Sequence, residues 1–136
     1  MIRPPRVGDA GELSFTVDAS HTIDFGSLGV PKVLSTPTLI WHLEHAARET
    51  LLPRFESGEA CVGIHVDIQH LAATPPGHKV QCRAKVIHVD GRIITFQVEA
   101  HDERELIARG THKRAVVDLE RFTKAVARKQ ATNESC

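Results

Sequence analysis

From residue 60 onward the chain reads as one extended segment after another. Four follow in succession, at about 60–69, 78–90, 92–103 and 105–117, with polar or glycine-bearing turns between them. In the first, Val62, Ile64, Val66 and Ile68 fall on one face and His65, Asp67 and Gln69 on the other, the period-two alternation of a half-buried strand. Asp90-Gly91 is a two-residue hairpin signal, and Asp102-Glu103-Arg104-Glu105 is a polar turn into the last segment. Tight connections of this kind join antiparallel neighbours. Upstream, Leu13, Phe15 and Val17 alternate with Glu12, Ser14, Thr16 and Asp18, predicting a first strand; His21 to Phe25 adds a short second piece. Gly26-Ser27-Leu28-Gly29-Val30-Pro31 reads as a mobile loop bordering a site.

One helix interrupts this β pattern before the meander, over about 36–51. Ser35 and Thr36 suit an N-cap, Pro37 suits the first turn, and Pro53 marks the stop. Leu39, Ile40, Leu43, Ala46, Ala47, Thr50 and Leu51 form an apolar stripe at helical spacing, with His42, His45 and Glu49 on the polar side. Glu44 falls at the edge of that stripe, where it could pair with Arg48 one turn on. Asp118 can cap a final helix over about 119–129, and Ala131 to Cys136 reads as frayed. The order strand, helix, antiparallel meander is α+β, with one long helix on one face of an antiparallel sheet.

The chemistry-bearing types stand out against that frame. Glu44 is a carboxylate within an otherwise apolar helix, costly unless paired or used. His70 ends the apolar face of the 60–69 segment, just before Ala72-Ala73-Thr74-Pro75-Pro76-Gly77. From the strand alone the favoured reading is a core histidine satisfied by a backbone carbonyl. With a hydroxyl at Thr36, beside a helix N-terminus, these are the residue types acyl transfer needs: a base or nucleophile, a titratable partner and a donor.

This arrangement resembles the hot-dog-fold acyl-CoA thioesterases, specifically the fluoroacetyl-CoA thioesterase-like family, over roughly residues 10–117. In that family a Thr at the helix start, a Glu eight residues on and a His 26 residues beyond it form the catalytic set; here these are Thr36, Glu44 and His70. The stretch from His65 to Gly77 is the most specific match. The family's site also includes a Gly seven residues before the His and an Arg late in the last strand, here Gly63 and Arg114. The resemblance implies hydrolysis of an acyl-CoA thioester to the free acid and CoA, with Glu44 as base or nucleophile, His70 as acid for the departing thiolate and no cofactor. It also implies a sheet wrapped around the central helix and a homodimer or dimer-based oligomer.

The composition bears on the alternatives. The 136 residues fit a single domain over 1–136, with about 1–10 and 131–136 flexible. Lys+Arg and Asp+Glu are both 17, so the basic surplus that nucleic-acid or anionic-membrane binding needs is missing. The first residues lack the apolar core of a signal peptide, and no run approaches a membrane span. Cys61, Cys82 and Cys136 follow no redox or metal spacing, which points to a reducing, cytoplasmic compartment; Cys61 and Cys82 read as buried small hydrophobes.

Nine histidines invite a metal, but His42 and His45 do not make the His-Glu-x-x-His pattern, and His65 with Asp67 lacks an assured third ligand. The expectation is no metal site. Charges at Asp102–Glu105 and Arg121–Lys129 read as solvated, and Arg114 could be a surface residue. Gly63 could mark a bulge as readily as a ligand's approach. The 60–69 segment, free of Lys and Pro, is a candidate open edge for a second copy to cover. Two other functions fit the fold class: a non-catalytic acyl-CoA binding or sensing protein, which would not need the Thr/Glu/His set, and a hydratase, whose Asp/His loop pattern is missing.

Overall fold

A single long helix, α1 (Thr36–Leu51), is bounded by the residues that predict it: the Ser35 side chain accepts from the Thr38 amide, and Pro37 lies in the first turn. The computed structural model describes residues 3–23 and 29–134. The strands are β1 (Ala10–Thr16), β2 (Thr22–Ile23), β3 (Val33–Leu34), β4 (Glu59–His70), β5 (Lys79–Asp90), β6 (Ile93–His101) and β7 (Leu106–Asp118), and a second helix, α2, follows at Leu119–Glu134. Of the short piece predicted at His21–Phe25, Thr22–Ile23 form β2, paired with β3 in a two-stranded ribbon, and Asp24 and Phe25 lie outside the described residues. The loop expected at Gly26–Pro31 lies outside the described residues up to Leu28.

The five longer strands form one antiparallel sheet in the order β1-β5-β6-β7-β4. Gly91, at φ 57°, makes the β5–β6 hairpin turn where Asp90-Gly91 predicts it. The helix lies mainly over β1 and β5. Leu39, Leu43, Ala46, Ala47 and Leu51 meet Val80, Cys82, Val86, Phe96 and Val98 in a core from which water is excluded. Over β4 and β7 the helix gives less cover, so that half of the sheet's inner face stays partly open.

β4 is an edge of the sheet, as the segment's composition leads one to expect, but its faces differ from the predicted alternation. A register shift between Gly63 and His65 inserts a bulge. Gly63 pairs with Arg114, while Val66 pairs with His112 and His70 with Ala108. Cys61 and Gly63 therefore share the inner face with Val66, Ile68 and His70, and Val62 belongs to the other side. Ile64, 51% exposed, is the bulged residue. At Gly110, β7 approaches β4 so closely that a Cβ would collide with the Asp67 carbonyl.

Other expectations are corrected by packing. His42 does not lie on a polar face: it is buried, its ring stacked on Phe15 at 3.6 Å and its Nδ1 donating to the Thr38 carbonyl at 2.9 Å. A flat ring with one satisfied nitrogen serves as core here. Asp102 is not solvated either. Its side chain, 3% exposed, accepts from the Arg104 and Glu105 amides and from the Thr74 hydroxyl. Burial alone would raise its pKa, but those hydrogen bonds hold it below the ordinary carboxylate value. α2 is capped by Asp118, which accepts from the Arg121 amide, and it continues to Glu134 rather than ending near 129. No described helix is long and apolar enough to cross a membrane.

Candidate active site

The candidate residues collect in two groups at opposite ends of the β4 inner face. At the first, the Thr36 hydroxyl and His70 Nδ1 are hydrogen-bonded at 2.7 Å. Ser35 caps the helix, so Thr36 sits in its first turn, beside backbone N–H groups that have no intrahelical acceptor. His70 Nε2 is buried without a hydrogen-bond partner among the described residues. Burial draws the His70 pKa below its ordinary value, with the Ala72 backbone partly offsetting that. Beside the pair opens a groove of about 580 Å³, walled by Ile23, Val33, Leu34, Pro37, Leu71 and Ala72. A second hollow, of about 400 Å³ near Arg92 and Phe122, contains none of the candidate residues.

The second group forms around Gly63. A Cβ there would lie 3.2 Å from His112 Cε1, 3.5 Å from Arg114 Nη1 and 3.6 Å from Glu44 Oε2. The bare glycine thus leaves a gap that these side chains border, and Glu44 and Arg114 lie within about 7 Å of each other across it. Glu44 makes no hydrogen bond or ion pair among the described residues, including none with Arg48. Arg114 is not a surface residue: it is 6% exposed. Its Nε donates to Cys61 Sγ at 3.1 Å, Nη2 to the Cys61 carbonyl at 3.3 Å and Nη1 to His112 Nε2 at 3.2 Å. Cys61 is therefore half-buried and polar in its contacts, unlike Cys82, whose thiol is pushed up to about 12 by burial.

Within one chain the two groups remain apart. Thr36 and Glu44 are separated by eight residues of helix, about 12 Å along its axis at 1.5 Å per residue. Gly63 and His70 are separated by seven residues of strand, on the order of 20 Å at 3.3 Å per residue with one residue in the bulge. So Thr36 meets His70, and Glu44 meets the surroundings of Gly63 and Arg114, but the three predicted catalytic residues do not converge in one chain. Sequence inspection missed His112 and Cys61. The signal for His112 was its i, i+2 relation to Arg114, which puts both on one face of β7. No group of three or more His, Cys, Asp or Glu that could hold a metal occurs among the described residues.

The profile of the FlK family, fluoroacetyl-CoA-specific thioesterase, matches residues 17–120. The fluoroacetyl-CoA thioesterase of Streptantibioticus cattleyicolor is 38% identical over 99 residues, covering 73% of this chain and 71% of that protein. A solved structure of the fluoroacetyl-CoA thioesterase FlK aligns with a TM-score of 0.86 at 33% identity, over 93% of this chain and 98% of that one. A thioesterase-superfamily protein of Thermus thermophilus aligns at 0.91 with 29% identity, over 98% and 99% of the two chains. With a matching family profile over most of its length and a similar relative in both sequence and structure, the chain belongs to the FlK family of hot-dog-fold thioesterases.

Proposed function

We propose that the protein hydrolyses an acyl-CoA thioester, with Glu44 as base or nucleophile, His70 as acid for the departing thiolate and Thr36 as donor to the reacting group. The thioesterase class follows from the family, and a variant of the relative FlK has been solved with fluoroacetate and CoA. The observation that carries the residue assignment is the 2.7 Å hydrogen bond between Thr36 and His70 at a helix N-terminus. A hydroxyl, an imidazole and unpaired backbone N–H groups at one point can bind a thioester carbonyl and stabilise the negative charge it develops. Glu44, which faces an open gap and has no hydrogen bond or ion pair among the described residues, suits a base or nucleophile better than a structural carboxylate.

The distance between the two groups supports a site shared between two copies. β4 is an unpaired edge with Ile64 and Val66 exposed at 51% and 38%. Antiparallel pairing of two such edges about a two-fold axis midway between Gly63 and His70 would set each His70 opposite the partner's Gly63. Thr36 and His70 of one chain would then face the gap at the other chain's Glu44. A non-catalytic binder would have no use for this convergence.

The test is a panel of acyl-CoA substrates with thiol detection, run on wild type and Glu44→Gln, together with light scattering. Expected are a particle of twice the 15.0 kDa chain mass and loss of turnover on the order of 10²-fold or more in Glu44→Gln. Mixing Glu44→Gln with His70→Ala chains should restore part of the activity, because one of the two shared sites in each mixed dimer is then intact. An active monomer, or mixed chains that stay inactive, would refute the shared site. Wild-type turnover in Glu44→Gln would refute the assignment.

A further inference from the structure

Among the described residues Arg114 is a buried cation with no carboxylate within ion-pairing distance, and its hydrogen-bond partners are neutral acceptors. Burying a guanidinium is costly unless its hydrogen bonds are made. Of its five N–H groups, one goes to Cys61 Sγ, one to the Cys61 carbonyl and one to His112 Nε2. Among the described residues two stay unused, one of them on Nη1, the atom bordering the gap above Gly63.

His112 makes this arrangement possible. It is 1% exposed, and its Nδ1 lies 2.8 Å from the His65 carbonyl, which can only accept. The proton is therefore on Nδ1, and Nε2 offers its lone pair to Arg114. Both nitrogens are committed, and the ring turns a carbon, Cε1, toward the gap. His112 cannot exchange a proton with anything bound there. It can act only through the guanidinium.

Resting on the thioesterase reading above, we infer that His112 is a positioning residue. Its neutral Nε2, with Cys61, holds Arg114 so that the unused N–H on Nη1 is presented to an acyl-CoA bound over Gly63. Protonation would turn Nε2 from acceptor to donor and set two cations against each other. The charged and titratable groups facing the ring are Arg114 on β7, His65 on β4 and Glu44 on α1; β6 contributes only the Phe96 ring. Burial is the leading effect, and it keeps His112 neutral below the ordinary imidazole range.

The experiment is a double-mutant cycle on acetyl-CoA hydrolysis, followed over pH. His112→Phe keeps a buried ring and removes the acceptor; His112→Gln restores a neutral acceptor that does not titrate. His112→Phe is expected to lower kcat/KM by about tenfold or more, the worth of a hydrogen bond to a charged group. It should cause little further loss in an Arg114→Ala background. His112→Gln should recover most of the loss. If His112→Phe folds and leaves kcat/KM unchanged, or costs as much with Arg114 absent as with it present, the inference fails. If wild type hydrolyses none of the acyl-CoA panel, the thioesterase reading fails instead. The same cycle is then run on acetyl-CoA affinity by calorimetry, where additive effects overturn the role of His112.

Discussion

Replacing Gly63 with alanine separates the gap's chemical use from its structural use. Gly63 is not at positive φ, so alanine can adopt its backbone conformation. Removing glycine's freedom from the unfolded chain favours the variant by about 0.4–1 kcal/mol. Against that, the new Cβ would stand 3.2 Å from His112 Cε1, close enough that the ring must give way by a few tenths of an ångström, while its other contacts at 3.5 and 3.6 Å are ordinary. The two effects are of similar size, so stability should change by no more than about 1 kcal/mol, a melting shift of roughly 5 °C or less for a chain of this length. The methyl group would nevertheless stand between Arg114 and Glu44. Filling a substrate pocket by one carbon is worth about 1–3 kcal/mol, so kcat/KM for short acyl-CoA substrates should fall roughly 10–200-fold. Thermal melting and thiol-release kinetics on the same preparation test this. A folded Gly63→Ala enzyme with wild-type kcat/KM would refute the idea that substrate uses the gap. Gly110→Ala is the contrasting control: its Cβ meets the Asp67 backbone, which cannot move aside, so there the melting temperature should drop.

Two further perturbations have definite signs. Thr36→Ala should reduce turnover less than His70→Ala, because the backbone N–H groups of the first helical turn remain; the reverse order in steady-state kinetics would mean the roles are misassigned. His42, His70 and His112 are each drawn below the ordinary imidazole value of 6.5, with burial the leading cause. Their folded-state pKa values are depressed, so the unfolded chain takes up protons first as pH falls. Stability is then full above about pH 6.5 and declines below it, ahead of any contribution from the lowered carboxylates Asp18, Glu59 and Asp102, which act nearer pH 4. Urea unfolding midpoints at about pH 8 and pH 5.5 measure this; a higher midpoint at the acid pH would contradict it.

The extent of α1 was legible to the residue because three independent signals agree there: the Ser35 cap, Pro37 and the apolar stripe. Of the expected four-strand meander only β5-β6-β7 was legible, with Asp90-Gly91 fixing one hairpin; β4 does not pair with β5 but crosses to the far side of β7, and β1 takes the place beside β5, because the longer 71–78 connection does not tie its two strands together as a tight turn does. Thr36, Glu44 and His70 stood out by residue type and position and then by family spacing, and their division into two groups was hidden, because spacing along a chain does not say which side chains lie together in space. His42 was misjudged because a helical wheel ranks histidine by its polarity, whereas its placement was decided by the Phe15 face it could stack on and a carbonyl one turn back. His112 and Cys61 left no motif. Their importance comes from a cross-strand partner, Arg114, that brings polar atoms together from β4 and β7. The face of β4 was read correctly at Val66, Ile68 and His70 and wrongly at Val62 and Ile64, since a strand's alternation gives no warning of where one residue is skipped.

That skipped residue has a consequence for how the chain can vary. On either side of Ile64 the strand is read in opposite phase: odd positions look inward before it, at Cys61 and Gly63, and even positions after it, at Val66, Ile68 and His70. Deleting Ile64 would make β4 a regular strand of unbroken parity with every inward side chain kept inward, and only the local bend would be lost. Deleting His65 would do the same, whereas inserting or deleting one residue between Val66 and His70 would throw the two halves out of phase and turn either Gly63 or His70 to the outside. The Ile64–His65 bulge is thus the place in this strand at which the loss of one residue leaves both ends of the inner face in frame.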